Sequence, residues 1–246
     1  MKNDLVIVVG TMLSLDNKEL FNDLKDSKVA LISVLEDLAL MEKVEFFSRY
    51  EAGSEEGVVA ILAKELLKDK ELPLENKKYF DELDEGYISA ETNIGEEELE
   101  ELYEMIQKAS SPIIIFGKDV FLNPRIENIS KFINLVAKYT DIEVKCLGEL
   151  KQSEISSLED IEELNSFDGT VIFEYNSDEK NDFLVGSVQF GVAAKVQDGQ
   201  AIVVENQNRE FKLDKKLKGT IALMANEIDE NSYRFKVAKI TKREVQ

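Results

Sequence analysis

Leu5-Val6-Ile7-Val8-Val9, closed by Gly10-Thr11, is the stretch on which the fold turns. Five apolar residues in a row, three of them valines, show none of the in/out alternation of a half-solvated strand. Such a run belongs to a strand covered on both faces, as in a parallel sheet. The residues before it, Met1-Lys2-Asn3-Asp4, and the absence of a small-residue cleavage pattern after it do not fit a signal peptide.

Working outward, strand-like and helix-like segments alternate. Asp16 to Asp26 carries Leu20, Phe21 and Leu24 at helical spacing, and Val29 to Val34 is again short and apolar. Glu36 to Phe47 reads as a helix or helical turn. Ser54 is placed as the N-cap of a helix striped by Val58, Ile61, Leu62, Leu66 and Leu67. Lys68 to Tyr87, with Pro73 inside it, reads as a long, partly irregular connection. Asn93 and Glu96 resemble a capping box ahead of Leu99, Leu102, Tyr103 and Ile106. Ile113 to Phe116 is a strand closed by Gly117, and Pro124 opens a helix reaching about Tyr139. Ile142 to Leu147 and Gly169 to Phe173 complete a series of about five strands. The pattern predicts an α/β class, a Rossmann-like doubly wound, mostly parallel sheet over residues 1–176. After the polar stretch Asn176 to Asp182, short β segments near 201–205, 209–213, 220–224 and 233–240 predict a small β-rich domain over 183–246.

Composition narrows the chemistry. The 246 residues, 43% hydrophobic, suffice for a sizeable core. A formal net charge of -20 repels a phosphate backbone or an acidic membrane surface. The best basic stripe, Lys212, Lys215, Lys216 and Lys218, is interrupted by Asp214, so no nucleic acid is expected as partner. Apolar runs are far below spanning length, so no direct membrane insertion is expected and the chain reads as soluble. One cysteine, Cys146, forbids an intrachain disulfide and fits a reducing compartment. With no histidine there is no imidazole ligand or Ser-His pair, and one thiol makes no cluster cage.

Few sites stand out, and each has a structural reading. The turn Gly10 to Leu15 has one glycine, so it is neither a dinucleotide fingerprint nor a P-loop. Gly53-Ser54-Glu55-Glu56-Gly57 has the small-residue look of a phosphate-cradling helix start, but its two glutamates suit the helix dipole instead. Glu96 to Glu101 reads as a solvated helix start rather than a divalent-metal site. Cys146 reads as a small core residue, and Lys118-Asp119 as the rim of a cleft. No catalytic, cofactor-binding or metal-binding residue is assigned.

Several segments resemble one family. They are Arg49-Tyr-Glu-Ala-Gly-Ser-Glu-Glu-Gly-Val-Val-Ala-Ile-Leu-Ala-Lys64, Ser89-Ala-Glu-Thr-Asn-Ile-Gly-Glu-Glu-Glu-Leu99, Ser111-Pro-Ile-Ile-Ile-Phe-Gly-Lys118, Phe183-Leu-Val-Gly-Ser187 and Phe211-Lys-Leu-Asp-Lys-Lys-Leu-Lys-Gly-Thr-Ile-Ala-Leu223. Together they resemble the C-terminal, molybdopterin-oxidoreductase-like region found in the cluster-bearing peripheral-arm subunit of bacterial NADH-quinone oxidoreductase (NADH dehydrogenase, respiratory complex I). Asp4 to Thr11 fits the strand and turn that open a Rossmann-like lobe in that superfamily. The resemblance implies a non-catalytic part of an electron-transfer subunit in the peripheral arm, with no cofactor in this chain. Iron–sulfur clusters are then expected on other parts of the parent subunit or complex. The implied partners are other peripheral-arm subunits or the cluster-bearing region of the same subunit. The implied location is cytoplasmic, peripheral to the inner membrane. The chain is then either an excised domain of a longer subunit, which Met1 just before the first strand suits, or a shortened subunit whose clusters sit on another chain. The alternatives are a pterin- or nucleotide-binding enzyme domain with its cleft near Gly10, Ser54 and Gly117, the central domain of a thiamine-diphosphate enzyme, suggested by Ala109 to Gly117, and a free-standing regulatory binding module.

Overall fold

The computed structural model describes residues 4–24, 27–151, 157–165, 167–177 and 181–243. The expectations attached to Met1, to the end of the helix at Asp26 and to part of the 176–182 stretch lie outside them. The chain divides into two compact units, Met1–Ser166 and Phe167–Gln246.

The first unit is built on β1 (Leu5–Val9), β2 (Lys28–Ile32), β3 (Val44–Ser48), β4 (Pro112–Phe116) and β5 (Glu143–Cys146). They form one all-parallel sheet in the order β3-β2-β1-β4-β5. The apolar run that begins the chain is the central strand, and all five of its residues are buried. Two short helices, α1 (Leu13–Asp16) and α2 (Lys18–Asp23), connect β1 to β2. The crossover from β3 to β4 carries α3 (Glu55–Leu67), α4 (Leu74–Glu82), α5 (Glu85–Thr92) and α6 (Glu96–Lys108). From β4 to β5 run α7 (Lys118–Phe121) and α8 (Ile126–Tyr139). Crossovers in parallel sheets are right-handed, so moving outward from β1 in opposite directions puts the connecting helices on opposite faces. On one face, Val6, Val8, Val29, Leu31, Ile113 and Ile115 pack with Leu13, Leu20 and Leu24. The alternate residues Leu5, Ile7, Val9, Ile114 and Phe116 are equally buried and point to the other face. There α3 and α8 pack side by side.

This is the doubly wound sheet that the pattern predicts, with three local corrections. Glu36 to Phe47 is not a helix: a single 3-10 turn, Met41–Lys43, leads into β3. Val44, Phe46 and Phe47 are β-formers, and the helical spacing of Leu38 and Met41 extends over that one turn only. Lys68 to Tyr87 is irregular only over 68–73 and 83–84, and α4 and the start of α5 fill the rest: Pro73 sits at the N-cap of α4, where a fixed φ and a missing N–H cost nothing. Phe80 is the buried anchor of that helix. Asn93 does not cap α6. It ends α5 in the left-handed conformation, φ 61, and Glu98 reaches back to the Gly95 N–H at 3.1 Å.

The second unit is a mixed seven-stranded sheet. Its strands are β6 (Val171–Tyr175), β7 (Phe183–Gly186), β8 (Gln200–Val204), β9 (Gln207–Leu213), β10 (Ile221–Ala225), β11 (Phe235–Val237) and β12 (Ile240–Lys242), with one helix among the described residues, α9 (Val188–Ala193). The order is β11-β6-β10-β7-β9-β8-β12. The two outermost strands are consecutive in the chain, joined only by Ala238 and Lys239, so the sheet curls round and its ends meet. Inside lie Ile172, Leu184, Phe190, Ile202, Val204, Phe211, Ala222 and Met224. The strand expected at Gly169 to Phe173 as the last of the first sheet is β6. It pairs with β10 in parallel and with β11 antiparallel. Its apolar run reads like β1 because it too is interior to its sheet, with neighbours on both edges.

Candidate functional site

In an open α/β sheet the ligand position is the crevice beyond the carboxyl ends of the strands, where the order reverses. Here that point lies between β1 and β4, at Gly10-Thr11 and Gly117-Lys118. The two turns are packed against each other. The Gly117 N–H donates to the Val9 carbonyl at 2.7 Å, and the Asp119 N–H donates to the Gly10 carbonyl at 2.9 Å. A Cβ on Gly117 would fall 2.1 Å from the Thr11 Cβ, so only glycine allows this closure. Asp119, expected on a cleft rim, is instead buried.

The polar groups along this edge are engaged by the chain's own carboxylates. Asp16 accepts from the Thr11 hydroxyl at 2.5 Å and from the Met12 N–H at 3.2 Å. Asp37, 1% exposed, accepts from the Ser14 N–H at 2.8 Å and its hydroxyl at 2.7 Å, and from the Ala39 N–H. The bonds to Asp37 offset part of the cost of burying its polar oxygens.

On the opposite face, the start of α3 lies near the start of α8. Glu55 and Glu56 stand in the first turn of α3, where the dipole favours negative charge, as the sequence suggests. Both are almost fully buried and specifically held. Asn123 donates to Glu55 at 2.8 Å. Asn128 donates to Glu56 at 2.8 Å, and the Arg125 Nε–H lies 3.1 Å from the same carboxylate. Desolvation pushes the Glu56 carboxyl above its ordinary range, against the pull of Asn128 and Arg125. Ser54 occupies the N-cap position, but its hydroxyl donates to the Glu51 carbonyl at 2.7 Å.

A strap without regular structure, residues 157–165, supplies further anions to the same place. Glu159 and Glu162 each pair with the Arg125 guanidinium at 3.2 Å. Lys131, 8% exposed, binds Glu159 at 2.6 Å and the Ser157 carbonyl at 2.7 Å. Asn128 donates to the Glu159 carbonyl and accepts from the Glu159 N–H. The Glu159 carboxyl is held below its ordinary range, chiefly by the hydrogen bond from Lys131. The strap ends with Leu164, buried against Gly57.

Two cavities of the first unit open elsewhere. One of about 490 Å³ lies at the amino end of β4 and β5, lined by Ser110, Ser111, Thr140 and Glu143. The other, about 200 Å³, lies beside the strap between Tyr79, Tyr87 and Asp160. Cys146 is partly exposed on the edge strand β5, and burial pushes its thiol up to about 11, well into the protonated form at neutral pH. Glu96, Glu97, Glu100 and Glu101 lie on the exposed side of α6. Among the described residues, no group of three or more acidic or cysteine side chains is placed to hold a metal ion. Among them, too, no helix is long and apolar enough to cross a membrane.

Sequence reasoning locates Glu55, Glu56, Gly10 and Gly117 in this region. It misses Asp16, Asp37, Arg125, Asn128 and Glu159. Asn123-Pro124-Arg125 reads as a helix entry and Ser157-Leu158-Glu159-Asp160 carries no local signal, because their pairing joins residues about thirty positions apart. No protein-family model matches the chain, and no curated protein matches it.

Proposed function

We propose that this chain is a structural, non-catalytic domain of the peripheral arm of respiratory complex I, corresponding to the molybdopterin-oxidoreductase-like region of a NADH-quinone oxidoreductase subunit. One observation carries the reading. At the edge where relatives of this fold take a phosphate or a pterin, the Met12 and Ser14 N–H groups of the first turn are already bound to Asp16 and Asp37, and the side-chain donors Asn123, Asn128 and Lys131 to Glu55, Glu56 and Glu159. A ligand phosphate would have to displace these carboxylates, of which Asp37, Glu55 and Glu56 are buried, and then lie among them, which is unfavourable on both counts. An old cofactor fold with its crevice filled from within keeps its shape without a ligand, as a scaffold requires.

On this reading the iron–sulfur clusters sit on the cluster-bearing region of the same subunit or on neighbouring subunits. The chain meets the inner membrane only through the assembled complex, on the cytoplasmic side. Two measurements test it. Affinity capture of the tagged chain from its source cell recovers cluster-bearing complex I subunits; their absence overturns the assignment. Thermal-shift titration with NADH, GTP and a pterin leaves the transition unmoved, whereas a reproducible rise of several degrees shows a working ligand site and overturns the non-catalytic reading.

A further inference from the structure

The second unit carries a groove of about 530 Å³ beside α9, lined by Val188, Val192, Phe211, Leu213, Lys195 and Lys242, with Asp198 at its edge. Val188 and Val192 lie four residues apart on one helical face and are 51% and 73% exposed. The floor beneath them is rigid. Phe190 and Phe211 stack at 5.9 Å and are fully buried. Two exposed valines on a fixed aromatic floor form a preorganised apolar patch, which loses little entropy on binding.

The charge around the patch selects the partner. Nearly all of the formal -20 belongs to the first unit, and the second is close to neutral. Within the second unit, lysines gather at this groove. Lys195 and Lys242 line it, and the turn carrying Lys215, Lys216 and Lys218 is tied to the start of α9 by the Ser187 hydroxyl on the Gly219 carbonyl. Asp198, the acidic group of the lining, accepts the Leu213 N–H at 2.8 Å. We propose that this groove docks an acidic protein segment that inserts an aliphatic side chain between Val188, Val192 and Leu213 while its carboxylates meet the lysine rim. Valines and lysines share one groove, which suits a peptide carrying both an aliphatic side chain and carboxylates. Its apolar floor offers nothing to a nucleic-acid backbone. The proposal deepens the scaffold reading above by naming one of its docking faces.

The test uses the full chain, its V192E and K195E/K242E variants, and two synthetic amphipathic peptides, one of glutamate and leucine and one of lysine and leucine. In amide NMR titration the acidic peptide shifts resonances of α9, Lys195 and Lys242. Each variant weakens that binding by about tenfold or more, and added salt weakens it further. The basic peptide leaves these resonances in place. Shifts confined to other regions, equal binding of both peptides, or unchanged binding by the variants overturns the proposal. So does Val192-dependent co-sedimentation with phosphatidylglycerol vesicles in the absence of peptide binding, which assigns the patch to lipid. Capture from the source cell separates the two readings. Cluster-bearing subunits recovered by the wild type and lost by V192E support the docking face. Equal recovery by both keeps the scaffold and removes this face from its docking. Recovery by neither overturns the scaffold, and the peptide titration alone then decides the groove.

Discussion

At the scale of single residues, the closure of the β1–β4 crevice rests on the lack of a side chain at position 117. Gly117 has extended backbone, φ -92 and ψ -179, that any residue adopts, so its requirement is spatial. A methyl there meets the Thr11 side chain at 2.1 Å and the Gly10 carbonyl at 2.6 Å, and backbone cannot move aside cheaply. Gly117→Ala is expected to lower stability by about 3 kcal/mol or more, at the upper end of overpacking costs. Gly199 provides the control. It is left-handed, φ +74, with nothing near its would-be Cβ, so Gly199→Ala carries only the conformational cost of about 1–2 kcal/mol. Urea denaturation of the two variants checks the order, and equal losses would show that the crevice is looser than the packing implies. That Gly117 ends a strand was legible in the sequence. What it abuts was not, because Thr11 lies more than a hundred residues away.

The strap over residues 157–165 shows at the element scale what periodicity cannot report. It has no repeating apolar face, and its order comes from side chains on α8. The depressed carboxyl of Glu159 links that order to pH. A group whose folded pKa is below its unfolded value contributes stability above the ordinary carboxylate range. That contribution is lost as pH falls through the folded value. The expected outcome is therefore a strap that holds through the ordinary carboxylate range and loosens as pH falls below it. The Glu159 amide signal, whose N–H donates to Asn128, reports it in NMR. Lys131→Met should move the midpoint of that change upward, and an unchanged midpoint would show that Lys131 does not hold the strap. Helices with a continuous apolar stripe, α3 and α8, were legible from sequence. By contrast, α4 and α5 were hidden, since they bury few side chains each, among them Phe80 and Ile88. β3 was misread because a short apolar run is compatible with either period.

For the whole molecule, the two units have separate cores, one around Val6, Leu31 and Ile113 and the other around Leu184, Phe190 and Phe211. They differ in charge far more than in kind, because the acidic excess is concentrated in the first. Self-repulsion destabilises a compact acidic body, and salt screens it. Calorimetry is expected to resolve two transitions, of which the one belonging to the first unit rises more with added sodium chloride. A single cooperative transition, or equal salt responses, would contradict this. The two-part organisation was legible in the change of pattern along the chain. The division at Ser166 was hidden by the apolar β6, which local sequence cannot assign to one sheet or the other. The meeting of β11 and β12 also has a consequence for synthesis on the ribosome. The first sheet has all its strands once Cys146 has emerged, and its unit can fold while translation continues. The curled sheet waits for Lys242. Until then β8 presents an unpaired edge, so the first sheet can be complete while the second is still open and sticky along one side.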